Sequence, residues 1–164
     1  MDQQISNQGA HGRTAVERTS DRELVVTRTF DAPAHIVFKA WSEPDIFRRW
    51  WVPEGAGINL VSCEMDVRTG GKYRLEFGAG DDTMAFYGKY LEVVPGQRIV
   101  WTNDEGEEGA ITTVTLEAQG GRTLLTFHEL YPSKDALDEA MQGSAAGLPT
   151  QLDQLDDLLP SISE

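Results

Sequence analysis

From Glu23 to Phe30 the chain alternates, with Leu24, Val26, Arg28 and Phe30 on one face and Val25, Thr27 and Thr29 on the other. β-Branched residues at a period of two, stopped by Asp31-Ala32-Pro33, predict a strand. Pro33 suits a first helical turn, where no amide hydrogen is required. Ile36, Val37, Ala40 and Trp41 then recur at helical spacing. Ser42-Glu43-Pro44-Asp45 has the form of a capping box and predicts a second short helix, from Pro44 to about Trp51. It would carry Ile46, Phe47, Trp50 and Trp51 on one side, and Pro53 would close it.

Strand patterns dominate the next stretch, in runs 58–68, 72–77, 83–94, 98–102, 110–118 and 122–131. Gly70-Gly71, the segment GAGDD, Pro95-Gly96, the acidic segment NDEGEEG and Gly120-Gly121 punctuate them as turns. In 72–77 the alternation is clean: Tyr73, Leu75 and Phe77 oppose Lys72, Arg74 and Glu76. The run 83–94 is apolar on both faces and holds Gly88, a bulge signal, so its parity stays open. Four or five consecutive hairpin-linked strands make an antiparallel meander.

The chain then turns helical. Ser133 can cap a helix to about Met141, residues 143–147 interrupt it, and Pro149 suits a new first turn. Leu148, Leu152, Leu155 and Leu159 repeat at helical spacing, with Asp153, Asp156 and Asp157 on the other faces. Such a leucine stripe must be buried on the sheet. The expected class is α+β: a curved antiparallel sheet wrapped around a long C-terminal helix, with two short helices after the first strand. A cavity is expected where the small helices splay from the sheet. Residues 1–21 are polar and aperiodic and read as a loosely ordered extension, with a single domain over 22–160.

The net charge of −13 narrows the partners. Residues 1–60 hold seven basic and eight acidic side chains, whereas 61–164 hold seven and nineteen. Phosphate binding needs a clustered positive field, and Arg48-Arg49 alone is too small. The expectation is no nucleic acid and no membrane partner. There is neither an apolar h-region at the N-terminus nor a run of about 18 apolar residues, and the lone Cys63 suits a reducing compartment. The expected location is the cytoplasm.

The segments FDAPAHIVFKAWSEPDIFRRWW, MDVRTGGKYR, GKYLEVVPGQRIVWT and GLPTQLDQLDDLL resemble bacterial proteins similar to the C-terminal domain of the Hsp90 ATPase activator Aha1. These belong to the START/Bet v 1-like (SRPBCC) superfamily. The resemblance runs from about Glu23 to Leu159 in four ordered motifs. It implies a helix-grip fold of seven-stranded type with a deep, mostly apolar pocket, and it names no reaction. WWVPEG stands where many members have a WWGP-like run, and Leu148 stands where a tryptophan often opens the last helix. The second change should reshape that end of the pocket.

Candidate chemistry is sparse. Trp50 and Trp51 point about 100° apart if helical, so one can be core and the other pocket. Asp66 and Arg68, two apart, read as an ion pair with Arg74 and Glu92 as further partners. His11 lies in the extension and His35 in a first helical turn. His128 and its neighbour Glu129 face opposite ways on a strand. No metal or triad spacing involves them, so no metal and no cofactor is expected. Cys63 reads as a small hydrophobe. Trp50, Trp51, Met65, Tyr73, Phe86, Trp101, Phe127, Glu129, Leu148 and Leu152 form the expected pocket lining.

The reading is a binding module enclosing a hydrophobic, apolar or aromatic small molecule, leaning away from an enzyme and assigning no catalytic residue. One alternative is a cyclase-, aromatase- or hydrolase-type enzyme using Glu129 with Tyr73 or Arg68. Another is protein interaction, by homodimerisation or in a stress-response role related to Hsp90 co-chaperones.

Overall fold

A computed structural model describes residues 14–52, 55, 57–79, 81–104, 109–142 and 144–162. Among these residues, eight strands form one antiparallel sheet: β1 (Thr14–Arg18), β2 (Glu23–Phe30), β3 (Asn59–Met65), β4 (Lys72–Ala79), β5 (Asp82–Val94), β6 (Arg98–Thr102), β7 (Ile111–Gln119) and β8 (Arg122–Leu130). Their order is β1-β2-β8-β7-β6-β5-β4-β3, so β3 to β8 is an uninterrupted meander and β2 returns to pair with β8. Helices α1 (Ala34–Ser42) and α2 (Pro44–Phe47) follow β2; α3 (Lys134–Gln142), a 3₁₀ turn (Ser144–Gly147) and α4 (Leu148–Leu158) follow β8.

The strand count exceeds the seven expected, because Thr14–Arg18 pairs with β2 in register Val16↔Val26. The expected extension over 1–21 is therefore ordered at its C-terminal end, and the two short helices follow the second strand, not the first. Residues 1–13, with His11, lie outside the described residues, as do Pro53 and most of the acidic turn. Four of the five β1 side chains are exposed, so backbone pairing is the main hold on this edge, helped by an ion pair from Arg18 to Asp138 at 2.7 Å.

Alternation in β2 is as read: Leu24, Val26, Arg28 and Phe30 are buried, and the residues between them are half-buried. Arg28 is the exception of type, a guanidinium on the apolar face. It donates to Asp153 Oδ1 at 2.6 Å and Asp156 Oδ2 at 2.8 Å on α4, and to Thr14 Oγ1 at 2.7 Å on β1. One planar fork thus joins the last helix to the first two strands.

Ser42 is not the cap of α2. It is the last residue of α1, and Glu43 occupies the cap position without a side-chain bond. Regular helix in α2 ends at Phe47, but bonds from the Trp50 and Trp51 amides to Phe47 O keep the turn wound to Trp51. Ser133 does cap α3, its Oγ accepting from the Ala136 amide at 3.1 Å. The C-terminal helix is shorter than expected, 11 residues extended by a 3₁₀ turn at Leu159–Ser161. It is stitched to the α2 turn from its other side: Gln151 donates to Trp51 O, and Gln154 donates to Trp50 O and Val52 O at 2.9 Å each.

In β5 the parity resolves as Gly88 and Tyr90 buried, with Phe86 half-buried, against exposed Tyr87, Lys89 and Leu91. The bulge lies between Tyr90 and Glu92, not at Gly88. Gly88 has another reason to be glycine: a Cβ there would sit 2.1 Å from Thr102 O.

Candidate functional site

Sheet, α1–α2 turn and the α3–α4 segment enclose a cavity of about 850 Å³. Its aromatic wall is centred on Trp41 of α1, whose ring lies 6.3 Å from Phe47, 5.9 Å from Trp51, 6.0 Å from Trp101 and 6.3 Å from Phe127. Trp41 is almost wholly buried, and its indole N–H finds no hydrogen-bond partner among the described residues. Inward-facing residues of β4 and β5 supply more of the wall, with Phe77 and Phe86 edge to face at 5.3 Å. The first turn of α4 adds Leu148 and Gln151. Exposed lining residues, Met84, Gly109, Glu139 and Ala146, mark where the cavity meets solvent.

Several polar groups in and behind this wall form a connected string. Tyr131 donates its hydroxyl to Glu129 Oε1, and Thr112 donates to Glu129 Oε2 at 2.8 Å. Asn103 Nδ2 donates to Thr112 Oγ1 at 3.1 Å and to Ala110 O at 2.8 Å. Tyr73 donates to Thr102 O at 2.7 Å and lies 3.3 Å from Asn103 Oδ1. Burial pushes the Glu129 carboxyl above its ordinary value, outweighing the hydrogen bonds from Tyr131 and Thr112 and the nearby His128. Burial, with Glu129 beside it, also raises the Tyr131 phenol.

That raised carboxyl has a measurable signature. A Glu that holds its proton longer when folded favours the folded state at low pH, and this advantage is lost as the pH rises from 4.5 through the folded-state value. Glu129→Gln carries no such titration. The gap in melting temperature should therefore shift in the variant's favour between about pH 4 and pH 8. Thermal unfolding across that range checks it, and a gap constant with pH refutes it.

The family model for Activator of Hsp90 ATPase homolog 1-like protein matches residues 31–160. The chain belongs to this family. Solved structures agree: a Chromobacterium violaceum protein is 31% identical with a TM-score of 0.73, covering 85% of this chain and 98% of that one. A Rhodobacter sphaeroides protein at 19% identity has a TM-score of 0.82 over 92% of this chain and 99% of that one. One from Nitrosomonas europaea, at 20%, has 0.80 over 88% and 98%. The last two show the fold alone. A search of curated proteins finds no match.

In this Hsp90-activator-like chain, eight of the ten residues expected in the pocket do line the cavity: Trp51, Met65, Tyr73, Phe86, Trp101, Phe127, Glu129 and Leu148. Trp50 and Leu152 do not. Trp50 is fully buried beneath Trp41 at 4.7 Å and donates its N–H to Ala40 O at 3.1 Å. Leu152 sits one turn further along α4, where the helix closes on the core, so only the start of that helix bounds the cavity. Leu148 is buried at the inner side of that wall.

The carboxylate partner also differs from the pairs considered. Glu129 meets Tyr131, not Tyr73, and Arg68 is exposed on a turn with Asp66 at 2.9 Å. Arg74 pairs with Glu76 and Arg98 with Glu92, so the expected four-residue network is three separate pairs. Tyr131 follows Glu129 by two residues, the strand spacing for a shared face, and that parity was the available signal. Trp41 and Asn103 gave none beyond a helical core position and a turn. His128 points the other way, to Glu23 Oε2 at 3.0 Å. Cys63 is half-buried, 3.5 Å from Met65 Sδ, and burial raises its thiol. Among the described residues no group of His, Cys, Asp and Glu could hold a metal ion, and no helix is long and apolar enough to cross a membrane.

Proposed function

We propose that this protein is a small-molecule binding module that encloses an apolar or aromatic ligand between the sheet and the α3–α4 segment. The cavity carries the reading. At about 850 Å³ it falls in the size range of ligand pockets. Its walls are mostly aliphatic and aromatic, with a few hydrogen-bonding groups to orient an occupant. The lone Cys63 supports a cytoplasmic setting.

Isothermal titration with 2-naphthalenemethanol, a neutral aromatic alcohol, tests the proposal. Saturable binding at one site per chain is the expected result. Leu148→Trp, which places an indole in the cavity, should weaken it about tenfold or more. No saturable binding, together with no co-purified compound in native mass spectrometry, would sink the reading.

The Glu129–Tyr131 pair favours a second reading, an enzyme that moves a proton to or from the bound molecule. Recovery of the bound compound chemically unchanged argues for the module; conversion argues for the enzyme.

A further inference from the structure

We infer that the ligand carries a protonated nitrogen on its apolar or aromatic body, and that this nitrogen sits against Glu129. The inference rests on the cavity being a ligand site and adds the charge of its occupant. It comes from the direction of the hydrogen bonds. Ala110 O can only accept, so the Asn103 atom 2.8 Å from it is the NH₂ group. That NH₂ also donates to Thr112 Oγ1, at 3.1 Å, which leaves the one Thr112 proton for Glu129 Oε2. Tyr131 adds a second hydroxyl at Oε1. Both hydroxyls thus direct their protons at Glu129, hydrogen bonds that favour its carboxylate and oppose the upward push of burial.

Both donors to that carboxylate are neutral hydroxyls. Among the described residues that line the cavity there is no Lys, Arg or His, and the other ionisable carboxyl, Glu139, has the same sign. A carboxylate accepts about four hydrogen bonds, so two hydroxyls leave it capacity for an occupant's N–H groups. A buried charge of this kind is stabilised by an opposite charge, which none of the described lining residues carries and a ligand can bring. The same cavity is lined by Trp41, Trp51, Trp101 and Phe127, and aromatic rings suit a cation as well as an apolar body. The net charge of −13 draws cations in and repels carboxylate ligands at a distance.

Three compounds sharing one ring system separate the cases: 2-naphthylmethylamine (a cation at neutral pH), 2-naphthalenemethanol (neutral) and 2-naphthoate (an anion). Titrated into the wild-type protein, the amine should bind about tenfold or more tightly than the alcohol, and the naphthoate most weakly. Glu129→Gln should bring the amine-to-alcohol ratio down to about one, with folding checked by thermal unfolding. The wild-type ranking stands as a test without the variant. Alcohol or naphthoate binding as tightly as the amine overturns the charge inference while leaving the cavity reading intact. So does an amine preference that survives in Glu129→Gln. If none of the three binds, the cavity reading falls first and this inference with it.

Discussion

Arg28→Ala is expected to lower the unfolding free energy by about 3 kcal/mol, read as a lower midpoint in urea at unchanged slope. The wild-type guanidinium is buried and bonded to Asp153, Asp156 and Thr14. Removing it strands two neighbouring carboxylates on one helix face and leaves a buried threonine short of a partner. Asp153 and Asp156 keep 30% and 23% exposure, which lets water relieve part of the penalty and holds the estimate at the low end for a broken buried pair. Arg28→Lys should fall between, because an ammonium cannot serve two carboxylates and a hydroxyl in one plane. A loss below about 1 kcal/mol for Arg28→Ala would mean that α4 is held by its leucine stripe and glutamine contacts alone.

The adjacent tryptophans should separate in the same assay. Trp50→Ala is expected to remove about 4 kcal/mol, a large share of a typical domain's stability. Its ring is fully buried, meets Trp41, Phe47 and Trp51 at 4.7, 5.3 and 5.5 Å, and makes a buried bond to Ala40 O. Trp51→Ala should cost about 1 kcal/mol in stability, since the ring is half-buried against Phe47 and already borders empty space. It should instead weaken binding of 2-naphthalenemethanol about tenfold. Urea unfolding and titration of both variants check the split. Equal losses of stability would show that the two rings belong to one core.

How far the chain reveals this in advance depends on what holds each part. Strands that bury one face announce themselves, as β2 and β4 do through strict alternation, and glycine and proline turns then set the meander. β1 could not be read this way. TAVER buries only Thr14, so its strand character comes from backbone pairing with β2, which leaves no periodic trace. The parity of Arg28 was visible, but its partners lie 125 and 128 residues away. Helical geometry required Trp50 and Trp51 to diverge without saying which turned inward. The reason is tertiary: Trp50 takes the space beneath Trp41, and Trp51 is left at the cavity. Leu152 misled because one helical stripe serves two purposes, cavity wall at its first turn and closed core beyond it.

The clustering around Trp41 has a practical consequence. The chain's four tryptophans are Trp41, Trp50, Trp51 and Trp101, and the other three rings all lie within 6.0 Å of the first. Indoles that close exchange excitation before they emit, so tryptophan fluorescence reports on this one cluster, three of whose rings line the cavity. A shift in its emission therefore needs no label to be assigned a place in the fold.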